Sequence, residues 1–161
     1  MTDFAERLIY ASANALLSEQ NALVAALHQQ FSETSRSPRF VLEVGCGSGL
    51  LSVSLAMHEP NWVYYLGDID LQVLPLAGRL ASTISAVTGD RLNLMLGRVD
   101  VFNLQASFDP HSLDLIFSEG MMNLFEPERQ LLALKKQLEV ADTVVSFMPN
   151  AAAPVIAEKY Q

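Results

Sequence analysis

The run from Phe40 to Leu50, FVLEVGCGSGL, restricts this chain more than any other stretch. Phe40, Val41, Leu42 and Val44 are branched or aromatic, the composition of a buried strand. Glu43 stands just before three glycines at alternate positions, Gly45, Gly47 and Gly49. Leu50-Leu51-Ser52-Val53-Ser54-Leu55-Ala56 then resumes an apolar pattern of helical kind. A strand that turns through glycines into a helix is a ready site for a nucleotide-like ligand. Without a Cβ the backbone can be approached closely. The helix start adds unpaired N–H groups and a partial positive charge.

The spacing discriminates between ligands. A dinucleotide fingerprint is G-x-G-x-x-G and binds pyrophosphate. Here the third glycine comes one residue early, and Leu50 stands where that pattern needs Gly or Ala. A phosphate loop would need a lysine after its last glycine, and none is near. A carboxylate directly before the glycines suits a cationic ligand and would be odd beside a pyrophosphate. The form Glu43-x-Gly45-x-Gly47-x-Gly49 resembles motif I of the class I S-adenosylmethionine (AdoMet)-dependent methyltransferases.

Composition narrows the class. The chain of 161 residues is half hydrophobic and 17% charged, enough apolar material for one domain with a core. A net charge of −8 leaves no electrostatic footprint for phosphates, which disfavours nucleic acid as a partner. The single cysteine, Cys46, lies inside the glycine loop, so no disulfide framework or metal cluster is expected. His28, His58 and His111 lack ligand spacing. No apolar run reaches the length of a membrane span, and the start Met-Thr-Asp-Phe is not signal-like. A cytoplasmic protein without membrane contact is expected.

Helical spacing predicts helices over 3–31, with Phe4, Leu8, Ala11 and Ala15 on one face. Residues 1–37 form an N-terminal helical segment ending in the polar linker SETSRSP, 38–149 the ligand-binding domain, and 150–161 a tail. Within the domain, strands are expected at 40–44, 62–66, 92–99, 113–117 and 143–147. Helices are expected at about 50–58, 71–87 and 127–140. Strict alternation argues for an α/β fold, a doubly wound, mainly parallel sheet with helices on both faces. Ligands then meet the C-terminal ends of the strands, near the switch point beside the first strand. Glu43, Asp68, Asp100 and the pair Ser118-Glu119 each follow a different strand, so they converge there.

The resemblance spans roughly 38–149 and gives these residues roles. It implies strand order 3-2-1-4-5 and AdoMet as cofactor. The loop of Gly45, Cys46, Gly47 and Gly49 wraps the cofactor, and Glu43 organises its methionine end. Asp68, 19 residues after Gly49 in LGDID, matches the acid that takes the ribose diol, with Ile69 beside it. Asp70 is the rival and is more simply a helix cap. Asp100 matches the acid that meets the adenine amino group, with a backbone N–H from Val101 and a wall from Phe102. As a bland alternative, Asp100 makes a local turn. Cys46 is read as a small residue that fits the loop.

SEGMMNLF, Ser118 to Phe125, keeps the family's glycine and phenylalanine but has Leu124 where many members have histidine. Ser118 and Glu119 are expected at the cofactor, with Glu119 the sole weak candidate for a catalytic base. The family sheet has seven strands, whereas five are read here, with 14 residues after the last. A fragment, an irregular tail, or a homodimer or partner subunit over the edge of the fifth strand would each account for this. The implied activity is methyl transfer to a small-molecule or carrier-linked acceptor. The alternative is a non-catalytic AdoMet-binding fold serving as a partner subunit or scaffold. A nucleoside-binding enzyme of other chemistry, such as an aminopropyl transferase, ranks lower, and a dehydrogenase lowest.

Overall fold

The structure, a computed structural model, describes residues 39–148 and Ala25. Apart from Ala25, the helices expected over 3–31 lie outside the described residues, as do the linker 32–38 and the tail 150–161. Within them the chain alternates β1 (Phe40–Val44), α1 (Leu50–His58), β2 (Val63–Asp68), α2 (Leu74–Thr88), β3 (Leu94–Arg98), β4 (Leu113–Glu119), α3 (Pro127–Leu138) and β5 (Ala141–Phe147). Single 3-10 turns occupy Leu104–Ala106 and Met122–Leu124. The strands form one sheet in the order β3-β2-β1-β4-β5, every pair parallel, as expected for the doubly wound class.

Side chains alternate across β1, so its residues divide between two apolar layers. Val41 joins Tyr64, Leu66, Leu115 and Phe117 under Leu51 and Leu55 of α1 and Ala77 of α2. Leu42 and Val44 join Ile116 on the other face, with Ala133 of α3, Val99, Val101, Leu104 and Met122. The middle residues on both faces of β1 and β4 are therefore buried, and those of β2 are buried or half-buried. This explains their near-continuous apolar runs. Each fully buried Leu, Ile or Phe contributes about 1.5–3 kcal/mol of transfer free energy.

Several boundaries move for local reasons. The expected helix at 71–87 begins at Leu74, because residues before it are taken into side-chain turns. Asp68 Oδ1 accepts the Asp70 N–H at 2.9 Å, and Asp70 Oδ1 accepts the Gln72 N–H at 2.9 Å. Pro75 lies in the first turn, and Gly89, left-handed at φ 79°, ends the helix. β4 runs two residues past the expected Phe117, since β5 pairs alongside Ser118 and Glu119. α3 stops at Leu138, two residues before the expected Val140, and β5 starts at Ala141.

Candidate active site

The glycine loop crosses the C-terminal edge of the sheet between β1 and α1. β2 holds it in place. The Gly45 and Cys46 N–H groups both donate to the Gly67 carbonyl, at 2.8 and 3.1 Å, and the Gly47 N–H donates to Asp68 Oδ2 at 3.0 Å. Asp68 thus uses each oxygen once within the protein. A carboxylate has about four acceptor sites, so capacity remains for a diol.

Beside this loop opens a cavity of about 580 Å3, within the range of small-molecule sites. Of the residues expected at a cofactor, Gly45, Asp68, Ile69, Asp100, Val101 and Glu119 line it. Asp70 does not, and its carboxylate serves the local turn at Gln72. Asp100 also makes the local turn anticipated for it, Oδ1 accepting the Phe102 N–H at 2.9 Å, while facing the cavity. Met121, Leu124 and Phe125 from the loop after β4 complete an apolar wall.

The remaining expected residues lie outside the wall. Ser118 is buried within β4, where its hydroxyl lies 3.2 Å from that of Ser146 and ties β4 to β5. Cys46 is buried, and burial, with Glu43 and Asp68 nearby, pushes its thiol far up, leaving it neutral. Gly49 caps α1 in the left-handed region and packs against Leu66 and Ala77. Gly47, also left-handed, has open space where a Cβ would stand.

Glu43 lies under the loop, only 3% exposed. α1 has no side-chain cap of its own, and Glu43 Oε2 accepts the Ser52 N–H from its first turn at 3.2 Å. Burial pushes the Glu43 carboxyl up to about 8, against the opposing pull of Ser52, and the charges of Glu119 and Asp68 push the same way. Desolvation outweighs the helix end because the group has almost no water to return to.

Sequence reasoning missed Arg129. It comes from the first turn of α3 and lines the cavity, its guanidinium carbon 4.5 Å from the centroid of Phe102 and 5.6 Å from that of Phe125. The available signal was a cation in a first turn, where the helix dipole opposes it and another contact must hold it. His58 and His111 lie away from the cavity. His58 ends α1, and His111 sits before β4, its Nδ1 3.3 Å from Asp142. Among the described residues no group of three or more acids, histidines or cysteines could hold a metal.

No family model matches the chain. It is 23% identical over 164 aligned residues to the release factor glutamine methyltransferase of Staphylococcus aureus (strain NCTC 8325 / PS 47), covering 96% of this chain but 58% of that protein. Its fold superposes, with a TM-score of 0.66, on a protein of Nostoc punctiforme PCC 73102 assigned as an O-methyltransferase, at 22% identity, covering 98% of this chain and 44% of that one. PKMT2 from Rickettsia typhi, solved with S-adenosylhomocysteine (AdoHcy), matches at a TM-score of 0.51 and 22% identity over 65% of this chain and 19% of its own. Strand order, glycine loop and these likenesses agree: the chain carries the Rossmann-like fold of the class I AdoMet-dependent methyltransferases, the family its motifs resemble.

Proposed function

We propose that this chain binds AdoMet and transfers its methyl group to a small-molecule or carrier-linked acceptor. One observation carries the reading: Asp68 and Asp100, from the ends of β2 and β3, share the wall of a mainly apolar cavity that opens beside the glycine loop. Their residue types suit the cofactor's polar groups. Asp68, held by two backbone N–H groups, is oriented to accept from the ribose hydroxyls. Asp100 accepts from the adenine amino group, with Ile69, Val101 and Phe102 as apolar walls for the ring. The open bend at Gly47 leaves room for the methionine end.

AdoMet supplies an activated methyl on a sulfonium, and the hard chemistry resides there. The protein's part is to bind, align and exclude water. Met121, Leu124 and Phe125 keep the mouth of the cavity apolar. Glu119 is the one carboxylate on the β4 side of that wall and is the candidate to take a proton from an acceptor. The release factor of the Staphylococcus relative belongs to that protein, of which this chain spans 58%. A cytoplasmic setting suits the free thiol of Cys46.

Calorimetric titration with AdoMet and AdoHcy tests the reading. Wild type should bind both, and Asp68→Ala should weaken both more than about tenfold, on the order of 1.4 kcal/mol. A folded wild type that binds neither would remove the reading. Tight binding without turnover across a panel of acceptors would favour the scaffold alternative. The free outer edge of β5, unpaired among the described residues, is where a partner subunit would then add.

A further inference from the structure

Three carboxylates surround the glycine loop in register. Glu43 of β1 pairs with Leu66 of β2 and with Phe117 of β4. Asp68 and Glu119 each stand two residues beyond those partners, so all three fall on the same face of adjacent strands. The outer two line the cavity, and the central one is buried beneath the loop. The groups around Glu43 are few. From α1 it accepts the Ser52 N–H, and the Ser52 hydroxyl also acts to lower its pKa. β2 brings Asp68. β4 brings Glu119, and the loop brings the neutral thiol of Cys46. Among the described residues no lysine, arginine or histidine pairs with Glu43.

A buried carboxylate whose only favourable neighbours are the neutral N–H and hydroxyl of Ser52, beside two anionic groups, is expensive to ionise. Without a cation nearby, burial therefore favours the protonated form of Glu43. A cation over the loop reverses the balance, since opposite charge nearby favours the ionised form.

We propose that Glu43 senses the charge of the bound cofactor, releasing its proton when a cationic ligand settles between Asp68 and Glu119 and recovering one when that charge is lost. The inference rests on the AdoMet reading above. AdoMet has a sulfonium, an ammonium and a carboxylate, hence one net positive charge, while AdoHcy has a neutral thioether and none. On binding, the Glu43 O–H bond breaks, the electron pair stays on the carboxylate and the proton leaves to solvent. After methyl transfer the sulfur is neutral, and the carboxylate takes a proton back from solvent. The carboxylate thus attracts the reactive cofactor and loses its charge beside the spent one. Glu43 is a positioning and charge-sensing residue, with no contact to the methyl group required.

Calorimetric titrations at pH 7 in phosphate and in Tris, whose heats of ionisation differ, count the protons exchanged. Wild type should release close to one proton per AdoMet and a small fraction of one per AdoHcy. Its AdoMet dissociation constant should tighten up to about tenfold per pH unit between pH 6 and 7, the linkage slope for one proton. Glu43→Gln should bind AdoMet, release close to none and show a flat pH profile, which also controls for protons exchanged by the ligands. AdoMet binding without proton release, or equal release with both ligands, would overturn the inference while leaving the cofactor reading intact. If Glu43→Gln does not fold, the wild-type comparison of AdoMet with AdoHcy still decides. Absence of AdoMet binding by folded wild type removes both readings.

Discussion

Gly47 and Gly49 share a left-handed backbone, at φ 51° and 70°, yet different constraints hold them. A Cβ on Gly49 would stand 2.5 Å from Leu66 Cδ2 and 3.0 Å from Ala77 Cβ, whereas one on Gly47 would meet nothing within 4 Å. Gly49→Ala should therefore combine backbone strain with overpacking and lose about 2–5 kcal/mol of stability in urea unfolding. Gly47→Ala should lose about 1–2 kcal/mol, the left-handed strain alone, but weaken AdoHcy binding more than tenfold in a titration. Equal destabilisation by the two substitutions would contradict this division. Their spacing is plain in the sequence. Which glycine serves packing and which faces a ligand depends on distances to Leu66 and Ala77, residues on other elements.

Elements were legible where the apolar pattern was long, and shifted where a neighbour added hydrogen bonds. Ser118 reads as a loop residue because Phe117 ends the apolar run, but β5 pairs with it and draws it into β4. The side chain then turns to Ser146 and away from the cavity wall. The start of α2 is likewise delayed by turns at Asp68 and Asp70 that a helical period does not register. Arg129 belongs to this scale, because it joins α3 to the loops after β3 and β4 through Phe102 and Phe125, rings 5.0 Å apart. Arg129→Ala should cost about 0.5–2 kcal/mol in urea unfolding, with Arg129→Lys intermediate. An unchanged midpoint for the alanine variant would mean that the stacked guanidinium contributes nothing to holding those loops.

For the molecule as a whole, Glu43 couples folding to pH. Its carboxyl lies near 8 in the fold, against an ordinary value of 4.5. Between those values the folded chain binds the extra proton, so raising the pH favours unfolding. The contribution is full below about pH 4.5 and lost as pH rises through about 8. Wild type should lose up to a few kcal/mol relative to Glu43→Gln between pH 5 and 8, read as a falling difference in Tm without ligand. Parallel Tm profiles for the two proteins would show that Glu43 is already ionised in the fold. The class of fold was accessible from the chain alone, since alternating apolar segments and a strand–glycine–helix junction are short-range patterns. So were Asp68 and Asp100 as cavity residues, because strand ends in a parallel sheet fall on one edge whatever packs around them. Arg129 on the cavity wall, Ser118 off it, and the burial that pushes the Glu43 carboxyl up were not. Each depends on which groups from distant segments stand within a few ångströms and exclude water, and the packed sheet alone sets those distances.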